Sequence, residues 1–359
     1  MTERRSPLHD VQMAAGAEII WEDGWPWAMR VGEDARAEYE AIRTATGIWD
    51  LYSTCKYDVS GADASRLIQR RFTNDLSGLG VGGVRYGAFV NADGSMVDDG
   101  NVYKHSEDKF WVMINTGDLE DWFRETAGGL DAAISHRTEE LPMVSVQGPG
   151  SRTLLEGVTE APISELKYFR CWPDAVKVAG LDVWVQRTGF SGELGYELVT
   201  DVASVNTLWS ALIAAGGTPF GLEAIDIARI EAGLIIVGLD YQPGETLPYD
   251  VSLDRFVKPG TECVGAAALA EAGARPPRRL KTLSIEAEAA PEAGAAVIKD
   301  GEEVGVVTSP TVSPRLGTIA LAVLKSETAI EGDKVEVGGA VATVGPLSLY
   351  DPEKKKPRS

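Results

Sequence analysis

VRYGAFVNADGSMVDDGNVYKHSEDKFWVMIN, residues 84–115, is the stretch that decides the fold class. Residues 84–90, 97–104 and 109–115 read as three successive strands, joined by the turns NADGSM and HSED, which are rich in Asn, Asp, Gly and Ser. Connections this short join only antiparallel neighbours, so the segment is a meander. The next stretch, TGDLEDWFRETAGG (116–129), reads as a helix: Thr116 caps it, Leu119, Trp122 and Phe123 share one face, and Gly128 ends it. The same cycle recurs downstream. Residues 143–147, 182–187 and 195–200 read as strands, followed by SVNTLWSALIAAGG (204–217), whose Val205, Leu208, Leu212 and Ile213 form a helical stripe. Antiparallel sheets with helices on one face define an α+β fold.

Working outward, the clearest seam is AEAGARPPRRL (270–280), where a Pro pair and three Arg break the apolar pattern. Beyond it come short alternating runs, from KTLSIEA (281–287) to AVATVG (340–345), split by Gly turns. They predict a small C-terminal β-barrel. The expected organisation is an α+β region over 1–270 made of two interleaved domains, a linker over 271–280 and the barrel over 281–359.

The 359 residues carry 34 Lys and Arg against 54 Asp and Glu, a net charge of −20. Nucleic acid and acidic membrane surfaces are therefore not expected as partners, and any anionic ligand needs a local basic pocket. No apolar run approaches a membrane span, and MTERRSPLHD lacks the apolar centre of a signal peptide, so the expected location is the cytoplasm. Cys55, Cys171 and Cys263 are far apart, as are His9, His105 and His136, so no metal-ligand spacing exists. Serine-hydrolase elbows, P-loops, zinc-protease and EF-hand motifs are absent. GLGVGG (78–83) follows polar FTNDLS and precedes a strand, so it reads as a turn and not as a dinucleotide loop.

Three segments carry candidate chemistry. Asp98 and Asp99 are neighbours on a strand and point to opposite faces, so one of them faces an interior or a cleft, where a carboxylate can hold a ligand amine and stabilise developing positive charge. RTGFSGELGYEL (187–198), opened by Arg187, is a Gly-rich connection in which backbone can approach a flat ligand and Glu193 can accept paired N–H bonds from an aminopyrimidine. GLEAIDIARIEAGL (221–234) reads as a helix with Ile225, Ala228, Ala232 and Ile235 toward the core, while Arg229 and Glu231 point elsewhere, the usual position of solvated charges.

Taken together, seven collinear segments resemble the aminomethyltransferase family, typified by the glycine-cleavage T-protein. They are AIRTATGIWDL (41–51), NADGSMVDD (91–99), VQGPGS (146–151), RTGFSGELGYEL (187–198), IARIEAGL (227–234), GVVTSPTVSPRLGTIALAVL (305–324) and LSLYDPE (347–353). The resemblance implies a three-domain ring around a tetrahydrofolate pocket, closed on one side by the barrel. By position it implies Asp98 as the catalytic carboxylate beside the folate N5 and N10 atoms, with Asp99 as its structural partner. It also implies Glu193 as the grip on the pterin, Tyr86 and Asn115 as pocket walls, and Arg229, Arg187 and Tyr350 as further cofactor-binding residues.

The departures from the family pattern are informative. The family's Asp-Val-Ser-His-Met is Asp50-Leu51-Tyr52-Ser53-Thr54 in this chain, its Ala-Arg-Asp is Ala224-Ile225-Asp226, and its His-Gly-Trp is Asp23-Gly24-Trp25. Because these positions line the donor side, the resemblance points to the branch that demethylates small molecules such as dimethylsulfoniopropionate or methoxylated aromatics, with tetrahydrofolate as acceptor. Tyr52, Ser53, Trp25 and Trp27 are the donor-pocket candidates. Under the alternative of a true T-protein, the partner is a lipoyl carrier protein. A third reading is a non-catalytic folate-binding regulator akin to the iron–sulfur assembly proteins of the superfamily; those carry a signature cysteine in the segment that reads RTGFSGE here. No dinucleotide-binding domain is expected before residue 50.

Overall fold

A computed structural model describes residues 3–115, 117–273, 275–327 and 330–359. The meander forms as expected, with strands Val84–Val90, Met96–Lys104 and Lys109–Ile114. Cys55–Ser60 and Ala133–His136 complete a five-stranded antiparallel sheet. One face, carrying Tyr57, Phe89, Val102, Val112 and Ile114, packs on Leu67, Phe72 and Phe123 as a closed core. Gly100 is obligatory there, because a Cβ would come within 2.1 Å of the Met113 carbonyl oxygen. The helix expected over 116–129 is confined to Glu120–Arg124, with Phe123 buried and Leu119 and Trp122 packed beside it. Thr116, its expected cap, lies outside the described residues.

A six-stranded sheet begins with Gly47–Asp50, pauses while the first sheet is built, and resumes with Met143–Gln147, Leu181–Gln186 and Gly195–Val199. All its pairs are antiparallel except a two-residue parallel contact between Thr218–Pro219 and Gly47–Ile48. The Val205–Ala214 helix buries Val205, Leu208 and Leu212 against this sheet, whereas Ile213, expected on the same stripe, is exposed. The interrupted order explains why the rhythm along the chain is not a simple βαβ repeat.

Six strands between Arg278 and Gly345 close into the C-terminal barrel. It starts inside the segment expected as linker: Arg278–Leu280 pair with Lys325–Val323, and Leu280 is fully buried. The Ala266–Ala272 helix takes the other end of that segment. Among the described residues no helix is long and apolar enough to cross a membrane, and no group of His, Cys, Asp or Glu could hold a metal ion.

The Leu222–Ala232 helix joins these bodies, and it does so through its charges. Arg229 and Glu231, expected on a solvated face, are both wholly buried. Glu231 Oε2 accepts from Arg43 Nε (2.9 Å) and Nη2 (2.6 Å), and Oε1 accepts from the hydroxyls of Tyr39 (2.6 Å) and Ser313. Arg43 also donates to the carbonyls of Ser191 (2.8 Å) and Ala228 (2.9 Å). Burial opposes the Arg43 charge, but Glu231 and Glu193 outweigh it and hold the guanidinium above its usual range. Arg229 donates to Asp240 (2.6 Å), to Asp226 (2.7 Å) and to Ser309 Oγ (2.7 Å) of the barrel. The neutralising partners come from segments far apart in sequence, so helical periodicity alone misplaces both residues.

Replacing Glu231 with Ala leaves Arg43 buried without its main counter-charge, so urea unfolding should show a loss of about 3–5 kcal/mol. A loss below about 1 kcal/mol, the range of an exposed pair, would contradict this role.

Candidate functional site

One cavity of about 2190 Å³ runs between the two sheets, the helix and the barrel. A pocket for one small ligand is about 300–1,000 Å³, so there is room for two reactants. Its polar wall comes from the meander. Along Met96–Lys104, Val102 faces the closed core, and the alternate residues Asp99, Asn101 and Tyr103 face the cavity. Tyr86, opposite Asn101, lines it too.

This phase puts Asp99 on the cavity wall and leaves Asp98, the expected catalytic carboxylate, off it. Asp98 lies on the core side and is fully buried. Its Oδ1 accepts from the Asp99 amide (2.7 Å), Asn115 Nδ2 (3.1 Å) and the Tyr241 hydroxyl (3.2 Å), while Oδ2 accepts from the Asn115 amide (2.9 Å). Asp99 is on the cavity wall, with Oδ2 accepting from Tyr86 (2.7 Å) and Oδ1 from Tyr241 (2.6 Å). Burial, reinforced by the charge of Asp98, pushes the Asp99 carboxyl up to about 7, despite the two hydroxyls that favour its ionised form. Strand alternation predicts that one of the pair faces a cleft. The polar neighbours at 101 and 103, read with it, were the signal that selects Asp99.

The Gly-rich segment is corrected in the same way. Glu193, expected to grip a pterin, does not line the cavity; it is buried against Arg43 (3.2 Å) and Lys356 (3.6 Å). Gly189 and Gly195 leave space for the Gln147 side chain, since a Cβ at either would come within 2.3 Å of it, and of the two only Gly189 lines the cavity. Four residues on, Glu197 does line the cavity. Its Oε2 accepts from the hydroxyls of Thr188 and Tyr103 (3.3 Å), and no described residue donates to Oε1. Burial raises this carboxyl above its usual range. Tyr103 thus links the wall of Asp99 to that of Glu197.

The other expected residues divide. Tyr86, Asn115, Trp25, Trp27 and Ser53 line the cavity. Tyr52 is buried behind Trp25, edge-on at 5.8 Å, and does not. Arg229 is consumed by Asp226, Asp240 and Ser309. Arg187 donates to the carbonyls of Leu166 and Pro357, and Tyr350 lies under the Arg43 guanidinium at 3.9 Å. These three stand behind the wall, because each satisfies backbone or charge at a junction between segments. Sequence reading missed Trp49, Phe169 and Phe190, which with Trp27 and Ile225, the latter expected on the donor side, make the apolar wall.

At another part of the wall, Arg255, Lys258, Lys354 and Arg358 line the cavity. Burial, together with the charges of Arg255 and Arg358, pushes the Lys354 amine down to about 8. The local basic pocket that an acidic protein needs for an anionic ligand is therefore present.

Comparison with known proteins agrees with this architecture. Residues 8–261 match the GCVT N-terminal domain, and residues 278–351 match the glycine cleavage T-protein C-terminal barrel domain. The chain is 35% identical over 343 residues to the aminomethyltransferase of Streptomyces avermitilis, covering 92% of this chain and 91% of that protein. It is 33% identical over 347 residues to the aminomethyltransferase of Bacillus subtilis, covering 93% and 94%. The glycine cleavage system aminomethyltransferase T from Bartonella henselae superposes with a TM-score of 0.89 over 98% of this chain and 99% of that one; at 23% identity this bears on the fold. Two matched domains, a full-length likeness at this identity and a cavity with room for two reactants lead to one conclusion: the chain belongs to the aminomethyltransferase (glycine-cleavage T-protein) family, whose members are tetrahydrofolate-dependent one-carbon transferases.

Proposed function

We propose that this protein transfers a methyl group from a small methylated donor to tetrahydrofolate. The observation that carries the reading is the pair of buried carboxylates, Asp99 and Glu197, lining one cavity with aromatic and apolar walls. The donor set fits folate. Glu197 Oε1 is available to accept paired N–H bonds from an aminopyrimidine, Phe169 and Phe190 offer flat apolar surface, and the cationic end suits a carboxylated tail.

Bound tetrahydrofolate would supply a nucleophilic amine nitrogen as acceptor. Asp99 would orient that amine and take its proton as the nitrogen–methyl bond forms and the donor's heteroatom–methyl bond breaks, the electron pair staying on the departing heteroatom; this task matches a carboxyl that titrates near neutrality. The hydroxyls of Tyr86 and Tyr241 fix the carboxylate in place. Asp98 acts through Asp99, by raising its basicity and anchoring Asn115. Trp25, Trp27, Trp49 and Ser53 form the donor compartment, with Ile225 where the family motif has arginine, so this side offers apolar surface in place of a charge. Holding donor and acceptor in line then removes several kcal/mol of barrier, about 7–11 at best.

A second reading has direct support in the names of the relatives: aminomethyl transfer from a lipoyl carrier. Incubating the protein with tetrahydrofolate and either aminomethylated carrier protein or a panel of methylated amines, sulfonium compounds and aryl methyl ethers separates the two. Mass spectrometry should find 5-methyl-tetrahydrofolate with a small donor; methylene-tetrahydrofolate formed only with the carrier would refute the demethylase reading.

Three expectations follow for the site itself. Glu197→Gln should weaken tetrahydrofolate binding at least about tenfold by calorimetry, the loss expected for a hydrogen bond to a charged group; unchanged affinity would remove Glu197 from the site. Asp99→Asn should bind folate but turn over about a hundredfold or more slowly. In the parent protein, the rate should fall as pH drops through about 7, because the base must be ionised. A rate flat from pH 8 to pH 5 would rule Asp99 out as the base.

A further inference from the structure

We infer that Lys56 is a positioning residue for the folate site: from behind the cavity wall its ammonium supplies the counter-charge of Glu197 and shapes the loop at residues 51–54. The inference rests on the folate reading above. Lys56 lies on the Cys55–Ser60 strand, where Cys55, Tyr57 and Val59 belong to the closed core, so Lys56 faces the other way, toward the six-stranded sheet. Register places it at the end of one row across the five-stranded sheet: Tyr86 is opposite Asn101, Asn101 opposite Met113, and Met113 opposite Lys56. The first three line the cavity, whereas Lys56 is 1% exposed and lies behind it.

Glu197 abuts the same face from the six-stranded sheet. Tyr103, two residues on from Asn101, donates to its Oε2 at 3.3 Å. Gln186, opposite Glu197 in register, approaches the Met113 sulfur at 3.4 Å. Ammonium and carboxylate each stand one strand, about 4.8 Å, from that contact. Both are buried, and among the described residues neither makes a direct ion pair. Burial pushes the Lys56 amine down to about 8, opposed by Cys55, Asp50 and Glu197. Burial likewise raises the Glu197 carboxyl, opposed by the hydroxyls of Thr188 and Tyr103 and by the Lys56 charge. The N–H groups of the ammonium go to the carbonyls of Leu51 (3.2 Å), Tyr52 (3.0 Å) and Thr54 (2.6 Å). Leu51, Ser53 and Thr54 line the donor side, so one cation ties that loop to the folate-side carboxylate. A neutral donor would satisfy carbonyls at less desolvation cost; the charge is what Glu197 uses.

The test is anaerobic calorimetric titration of the full chain with tetrahydrofolate between pH 5.5 and pH 8.5, for the parent protein and for Lys56→Gln, which keeps N–H donors and drops the charge. In the parent, affinity falls at the acid end as Glu197 takes a proton. Without the ammonium that fall should move up by about one pH unit, so Lys56→Gln binds about tenfold more weakly at pH 6. It should regain parent affinity by pH 8.5, where Lys56 itself is losing its charge. Asp99, which titrates at about 7, and His136, held below its usual range by burial, are common to both proteins. A second reading needs no change at Lys56: Glu197→Gln should lower the titration midpoint of the Lys56 amine, followed by nitrogen NMR, because the coupling is reciprocal. An equal loss of affinity at every pH, an unmoved acid limb, or an unmoved Lys56 midpoint would overturn the inference and leave the folate reading standing. Failure of the parent to bind tetrahydrofolate at any pH would overturn the folate reading, and this inference with it.

Discussion

The buried pair of Arg43 and Glu231 is the constraint on which the rest of the molecule depends. A helix at residues 35–44, the Leu222–Ala232 helix, the Gly-rich segment and the barrel all meet at these two side chains. Such a pair costs more desolvation than a surface bridge, and it holds only because nearly every donor and acceptor around it is satisfied. It also decides which glutamate can serve a ligand. Glu193 is drawn to Arg43 and is used up in the junction, whereas Glu197, on the strand that follows, keeps an oxygen to which no described residue donates.

The cavity that this junction frames is divided by charge. Titratable carboxylates and their hydroxyl partners line one part, aromatic and aliphatic side chains another, and cationic side chains a third. That division suits a ligand with a polar bicyclic head and an anionic tail, placed beside a small apolar-walled space for a second reactant. The net charge of −20 makes the cationic part conspicuous.

Much of this was legible in the sequence. The meander, the second set of strands and the barrel follow from alternation and turn chemistry, because those signals are local. Family likeness placed the cavity wall at the correct segments, and Tyr86, Asn115, Trp25, Trp27 and Ser53 do line it. What failed was phase within a segment. Asp98 and Asp99, like Glu193 and Glu197, are separated by which face of a strand or turn meets the cavity, and that is set by partners such as Val102 and Arg43 from the rest of the fold. Arg229 was misread for a related reason, since its counter-charge Asp240 and its barrel partner Ser309 lie off the helix.

The central claim is that Asp99 and Glu197, and not Asp98 and Glu193, face a bound folate. A crystal structure of the protein with tetrahydrofolate tests it most directly. The account predicts the pterin's amino edge against Glu197, N5 beside Asp99, and the tail at Arg255 and Lys354, with the Arg43–Glu193 contact intact. A pterin held by Glu193 after that contact has broken, or a folate bound outside the cavity, would contradict it.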